Sequence, residues 1–192
     1  LDKFNGMFAF VIYDTQAKTV FGARDRYGIK PFYYYHDDSK FIFASEIKSI
    51  LPFIEKKAND KAIYDYLLFN RTDLNEHTFF AGVKKLQHGS SFTIINNAFC
   101  HRKWYNLLEK KTIEKELSPT QYKELFKDAL KLRMRSDVPV GVSLSGGIDS
   151  SSIVASLVKD FSLSELNTFS AVFGKEEDTD ESEFVDEFKD IV

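Results

Sequence analysis

The chain lacks thiols, long apolar runs and any excess of positive charge, and each absence closes off a class of function. One cysteine, Cys100, among 192 residues leaves no disulfide framework and no thiolate metal cluster. Sparse thiols point to a reducing, cytoplasmic setting. No apolar stretch approaches the ~20 residues that span a bilayer, so no membrane partner is expected. No signal peptide opens the chain. The formal net charge is -3, so no basic field calls for nucleic acid or an anionic surface. The charge runs at 109–116 and 175–181 mix signs or sit between elements, and read as solvated surface. No internal repeat or low-complexity segment is present.

What is present is an ordinary globular composition, 43% hydrophobic and 29% charged, long enough for one large domain or two small ones. The chain opens at Leu1, without Met, runs at once into the apolar stretch 7–13, and ends at Val192 within a helical pattern. It is expected to be an internal piece of something longer.

Residues 1–105 read as a β-rich α+β part. Phe8, Phe10 and Ile12 alternate with Ala9, Val11 and Tyr13, which predicts a strand buried on both faces. A turn at 14–18 joins it to a second strand at 19–24. Gly28 and Pro31 punctuate before a strand at 32–35, and another follows at 41–44. A short helix is expected over 46–51, stopped by Pro52. Asp60 is expected to cap a helix carrying Ile63, Tyr66, Leu67 and Phe69 on one face. Segments 91–95 and 99–105 form a hairpin around Asn96-Asn97. Charged, aperiodic residues 106–119 read as a linker. From Thr120 the spacing of Leu125, Ala129, Leu130, Leu132 and Met134 predicts a helix, with Arg133 and Arg135 as end charges. A strand over 138–144, a helix over 150–159, a parallel strand over 168–173 and a helix opened by Asp180-Glu181-Ser182-Glu183 then begin an α/β doubly wound sheet.

The candidate site is Ser143-Leu144-Ser145-Gly146-Gly147-Ile148-Asp149-Ser150-Ser151, where the first of these parallel strands gives way to its helix. In such sheets the turn faces a crevice at the carboxyl edge. Gly146 and Gly147 admit a ligand close to backbone N–H groups, and the helix N-terminus adds orphan donors, making an anion site. Ser145, Ser150 and Ser151 add hydroxyls, so a phosphate-bearing ligand fits. Asp149 fits either as a helix N-cap or as a Mg²⁺ ligand that offsets its charge against phosphate. No Lys stands where a P-loop needs one, and the Gly-x-Gly-x-x-Gly pattern of dinucleotide folds is absent. Cys100 beside His101 is not read as a catalytic pair, because sequence neighbours on a strand point apart.

Ser145-Gly146-Gly147-Ile148-Asp149-Ser150-Ser151 resembles the pyrophosphate loop of the N-type ATP pyrophosphatases. Arg135-Ser136-Asp137-Val138-Pro139-Val140-Gly141-Val142 narrows the resemblance to the glutamine-dependent asparagine synthetase family. Asn5-Gly6-Met7-Phe8-Ala9-Phe10, Ala23-Arg24-Asp25-Arg26-Tyr27-Gly28-Ile29-Lys30-Pro31, Phe43-Ala44-Ser45-Glu46-Ile47-Lys48 and Asp180-Glu181-Ser182-Glu183-Phe184 agree with it in order. The resemblance implies the later part of an N-terminal-nucleophile glutaminase sandwich over 1–105 and the start of an ATP pyrophosphatase domain over 120–192. It implies L-glutamine, L-aspartate and ATP as substrates, Mg²⁺ as cofactor, and AMP and pyrophosphate as products; a homodimer is compatible with it. Ser145, Gly146, Gly147, Ser150 and Ser151 would hold the leaving pyrophosphate, Asp149 would bind Mg²⁺, and Ser143 and Val172 would border the nucleotide. No residue is assigned as the glutaminase nucleophile. Asn5-Gly6 reads as a turn, and Asp25-Arg26 as a buttress of the glutaminase fold. Two rivals remain open: the same architecture with another carboxylate acceptor, such as a sugar carboxylate or a β-amino acid, and a nucleotide-binding module without turnover.

Overall fold

In the computed structural model of the chain, residues 1–109, 116–163, 166–172 and 181–188 are described. They form a mixed α/β structure that divides into two compact units, Leu1–Thr112 and Ile113–Val192.

Unit 1 is built from two antiparallel sheets. The first holds β1 (Ala9–Asp14), β2 (Thr19–Arg24), β6 (Ser90–Ile95) and β7 (Ala98–Lys103), in the order β1-β2-β6-β7. The second holds β3 (Tyr33–His36), β4 (Phe41–Ala44) and β5 (Val83–Lys85), in the order β4-β3-β5. Each sheet sends aromatic side chains toward the other. Phe41 meets Phe92 at 5.1 Å between ring centroids, and Tyr34 stacks on Phe99 at 5.3 Å. With Phe32, Leu86 and Ile94 these rings make the core. Gly22 lies opposite Phe92 across the β2–β6 ladder, and a Cβ there would come within 2.3 Å of that ring. The missing side chain at 22 is therefore what leaves room for the Phe92 ring. Burying a ring of this size contributes roughly 1.5–3 kcal/mol.

Local chemistry sets the turns. Asn96 and Asn97 both take positive φ, 48° and 64°, which is the backbone of a two-residue hairpin turn and suits Asn. The Asp14 carboxylate accepts from the N–H groups of Gln16 and Ala17, closing the β1–β2 turn.

Several sequence expectations are corrected in this unit. β1 is not buried along its whole length: Ile12 and Tyr13, which point to opposite faces at the end of this edge strand, are each 55% exposed. Residues 46–51 do not form one helix. Two 3-10 turns, Ile47–Ser49 and Leu51–Phe53, replace it, and Pro52 sits in the first turn of the second, where its missing N–H costs nothing. The cap of α1 (Asp60–Phe69) is Asn59, whose side chain accepts from the Ala62 N–H, rather than Asp60. The apolar face expected on α1 does not form a core contact at Leu67 or Phe69, which are exposed.

Unit 2 contains α2 (Pro119–Arg133), β8 (Gly141–Ser143), α3 (Ile148–Lys159), β9 (Asn167–Phe169) and α4 (Ser182–Asp186). α2 begins on a full capping box: the Ser118 hydroxyl accepts from the Gln121 N–H while the Gln121 side chain accepts from the Ser118 N–H. Its last turn carries Arg133, which donates to the Ala129 carbonyl. Arg135 lies beyond it. Leu130, Leu144, Val154, Leu157 and Leu166 form the core. β8 and β9 pair in parallel, Val142 against Thr168, with α3 connecting them in sequence. Both strands are shorter than expected. Val138 and Pro139 lie before β8, and of the expected 168–173 strand residue 173 lies outside the described residues. Asp180 also lies outside them, as do 110–115 of the expected linker. No described helix is long and apolar enough to cross a membrane.

Candidate functional site

Two polar centres stand out, one in each unit. In unit 1, Asp25 follows β2 directly and is 1% exposed. Its carboxylate accepts from four backbone N–H groups, those of Phe8 (3.3 Å), Tyr27 (3.1 Å), Ile29 (3.0 Å) and Lys30 (3.0 Å). Burial alone would push this carboxyl up, but the four donors outweigh it and hold it below its ordinary value. Beside it, the Arg24 guanidinium donates to the carbonyls of Lys30, Leu86 and Gly28 at 2.6–2.7 Å. The pair ties the loop after β2 to β1 and to the segment before β6. Arg26 lies over the Trp104 and Tyr105 rings, 5.1 and 5.4 Å from their centroids, and donates to the carbonyls of Asp2 and Phe4. The buttress thus takes in Arg24 as well as Asp25 and Arg26. All the donors around Asp25 are backbone groups already in place, which leaves no room for a ligand there.

Cys100 is exposed on β7, paired across from Thr93. His101, next along the strand, pairs across from Phe92 and points to the other face. A cleft of about 230 Å³ lies elsewhere in unit 1, lined among others by Asn59, Lys61, Asp65, Arg71, Asp73 and His77. Nothing in the sequence marked it, because its lining comes from a helix face and a loop with no motif.

Unit 2 presents the opposite arrangement. β8 ends at Ser143, buried Leu144 continues the pairing by donating its N–H to the Phe169 carbonyl (2.9 Å), and the chain then turns through Ser145, Gly146 and Gly147 into α3. Gly147 is the N-cap of α3 and has no side chain to satisfy the first N–H groups of the helix. Those donors have no side-chain cap. Asp149 is therefore not the N-cap: it is the second helical residue, exposed, one position into a turn that attracts negative charge. The helix starts two residues earlier than expected because Gly147, not Asp149, makes the break from extended backbone.

The serines divide. Ser150 Oγ donates to the Gly147 carbonyl (3.1 Å), accepts from the Ser145 N–H (3.2 Å), and lies 3.1 Å from Ser145 Oγ. Ser145 and Ser150 thus brace the turn internally rather than offering two free hydroxyls. Ser151 Oγ is buried with no partner among the described residues. Gly146 has φ +77°, and a Cβ on it would fall 2.3 Å from Phe184 Cβ. Its freedom is used by the close approach of α4 as well as by the turn.

A cleft of about 480 Å³ opens at the carboxyl ends of the two parallel strands. Ser143, Leu144 and Ser145 line it from β8, Phe169, Ser170 and Ala171 from β9, and Glu181 and Val185 from the start of α4. Ser170 Oγ donates to the Leu144 carbonyl (2.6 Å) and ties the two strand ends together. The structure therefore places Ser143 and Ser145 in the cleft and the rest of the glycine turn beside it. Val172 is not on a strand but three residues past β9, 67% exposed. Ser170 and Glu181 were not picked out as site residues in the sequence, although Glu181 stands in the Asp180-to-Phe184 run. Among the described residues no three His, Cys, Asp or Glu side chains converge on a metal-sized point. A Mg²⁺ ion here would take one carboxylate, Asp149, and complete its shell from phosphate and water, which is its usual habit.

Comparison with known proteins accounts for both units. Residues 1–105 match the family of glutamine amidotransferase domains, and residues 121–190 match asparagine synthase. A protein of Methanocaldococcus jannaschii provisionally named asparagine synthetase (glutamine-hydrolyzing) 2 is 41% identical over 184 residues, 92% of this chain and 36% of the relative. Asparagine synthetase (glutamine-hydrolyzing) 1 of Bacillus subtilis is 40% identical over 174 residues, 89% of this chain and 27% of the relative. Amidase chry2 of Gibberella zeae is 36% identical over 169 residues, 83% of this chain and 25% of the relative. The chain thus spans between about a quarter and a third of the length of these relatives. With one family matched over each unit and the same relatives running through both, the chain belongs to the glutamine-dependent asparagine synthetase family.

Proposed function

We propose that the glycine turn and the cleft beside it bind ATP, and that the whole protein uses it to amidate a carboxylate. The carrying observation is the placement of that turn: uncapped N–H groups of α3 open beside a cleft at the carboxyl ends of two parallel strands. On this reading residues 1–105 are the later part of a glutaminase domain and 120–192 open a doubly wound ATP pyrophosphatase sheet. Ser145, Gly146, Gly147, Ser150 and Ser151 surround the β- and γ-phosphates, with Ser143 and Val172 at the nucleotide's edge. The Ser151 hydroxyl, buried and without a partner among the described residues, is a spare donor at this turn, which supports the reading. Asp149 would hold Mg²⁺, which supplies charge neutralisation to the departing pyrophosphate.

The chemistry follows from where negative charge can be stabilised. Donors gathered at one helix terminus seat two phosphates together and favour their leaving as a unit. The α-phosphorus is then open to the aspartate side-chain carboxylate. Attack there forms an acyl-adenylate, and ammonia from glutamine displaces AMP. Glutamine, aspartate and ATP are the substrates on this reading, in a cytoplasmic enzyme compatible with a homodimer. The turn and the cleft fit a second reading equally, in which the same activation serves a different carboxylate.

The test is product analysis of the whole protein with Mg-ATP, glutamine and aspartate. AMP and pyrophosphate are expected in equal amounts with asparagine. ADP and phosphate would overturn the reading. AMP formed only when another carboxylate replaces aspartate would select the second.

A further inference from the structure

We propose that Glu181 positions the ribose of the bound nucleotide by accepting hydrogen bonds from its 2′- and 3′-hydroxyls. The inference rests on ATP occupying the cleft and assigns a role to a side chain that the phosphate chemistry leaves unused.

Glu181 stands at the N-cap of α4, the position whose side chain usually bonds the first helical N–H groups, yet its carboxylate makes no such bond. Its backbone carbonyl alone serves the helix, accepting from the N–H groups of Phe184 and Val185, each at 3.1 Å. Glu181 is one of the residues lining the cleft, together with Ser143, Ser145 and Ser170. The helix that carries it also touches the glycine turn. One turn further on, Phe184 lies so close to Gly146 that no Cβ fits between them. An acidic residue thereby borders the cleft, at the start of the helix that abuts the glycine turn.

A carboxylate can only accept hydrogen bonds, and it repels phosphate and a substrate carboxylate alike. The portion of the nucleotide that adjoins the phosphates and offers donors is the ribose. Its two neighbouring O–H groups match the two oxygens of one carboxylate, the use to which acidic residues are put in other nucleotide folds. Glu181 would then fix the sugar, and through it the orientation of the α-phosphorus.

The experiment is calorimetric titration of the whole protein with ATP, 2′-deoxy-ATP and 3′-deoxy-ATP, each with and without Mg²⁺. The wild type should bind ATP about 10- to 100-fold more tightly than at least one deoxy analogue, the scale of a hydrogen bond to a charged group. Glu181→Ala should weaken ATP most and each monodeoxy analogue less, since only one hydroxyl is left to bond it, and so erase the preference. Glu181→Gln, which keeps the size of the side chain, carries the same test should the alanine variant fail to fold, with a reduced preference expected. A variant that weakens all three nucleotides equally would overturn the inference. So would one that keeps the ribose preference but loses the effect of Mg²⁺, which would make Glu181 a metal ligand. A wild type that binds ATP without sensing the hydroxyls would overturn the inference alone, and one that binds no ATP would overturn the proposed function with it.

Discussion

Asp25 and Asp149 each follow a β-strand and each lies near a glycine, but the two units put them to opposite use. Asp25 is buried and surrounded by four backbone donors that belong to its own unit. Asp149 is exposed on a helical turn whose donors have no side-chain cap. The first carboxylate is closed off by the fold, and the second is left open. A buried carboxylate must have its partners built in, since leaving it unpaired costs several kcal/mol. An exposed one beside uncapped N–H groups can wait for a cation or a ligand. Residue type is therefore no guide to role here; the source of the hydrogen bonds is.

The sharpest way to break this contrast is to delete the closed carboxylate. Asp25→Ala strands four donors, at about 1–3 kcal/mol for each one left unsatisfied. A loss of at least about 3 kcal/mol in unfolding free energy is expected by urea denaturation of the whole protein, enough to unfold a marginal domain. A smaller but clear effect is expected in unit 2. Gly146→Ala places a Cβ at positive φ and against Phe184, and should cost about 2 kcal/mol while weakening nucleotide binding. Faster hydrogen exchange at the start of α3 and in α4 would locate the damage.

Acid should sharpen the same contrast more gently. The folded Asp25 carboxyl titrates below its unfolded value, so its stabilisation is present above an unfolded pKa of about 3.9. That stabilisation is lost as pH falls through the lower folded value. Below about pH 4 the wild type should lose stability more steeply than Asp25→Ala, which a pair of denaturation series would show. The smallest effect is expected at Cys100. It is exposed, and Cys100→Ala should change stability by less than about 0.5 kcal/mol. Glutamine hydrolysis by the whole protein should be unaltered as well.

What the sequence revealed was the chemistry carried by neighbouring residues. Asn96-Asn97 announced a hairpin because both residues tolerate positive φ, and the paired glycines announced the turn into α3. What it hid was partnership across distance. Arg24 reads as an ordinary strand end, and only the fold brings Lys30, Leu86 and Gly28 carbonyls around it. The brace between Ser145 and Ser150 is likewise a matter of backbone geometry, invisible in a run of hydroxyls. Cap positions were harder than elements. Asn59 and Asp60 are adjacent and both suit an N-cap, and Ser118-Pro119-Thr120-Gln121 carries a capping box that periodicity alone passes over. β5 was missed because Val83-Lys84-Lys85 is too short and too charged to alternate.

The contrast between the two aspartates comes down to Asp149→Asn, measured twice on the same preparation of whole protein. Its unfolding free energy should fall by no more than about 1 kcal/mol, since the exposed carboxylate gives the fold only its interaction with the helix dipole. Its rate of AMP formation from Mg-ATP should fall by more than roughly a hundredfold, the scale for removing one electrostatic contributor, with glutamine hydrolysis retained. A variant that forms AMP at the wild-type rate but unfolds more easily would contradict the account and make Asp149 a structural residue like Asp25.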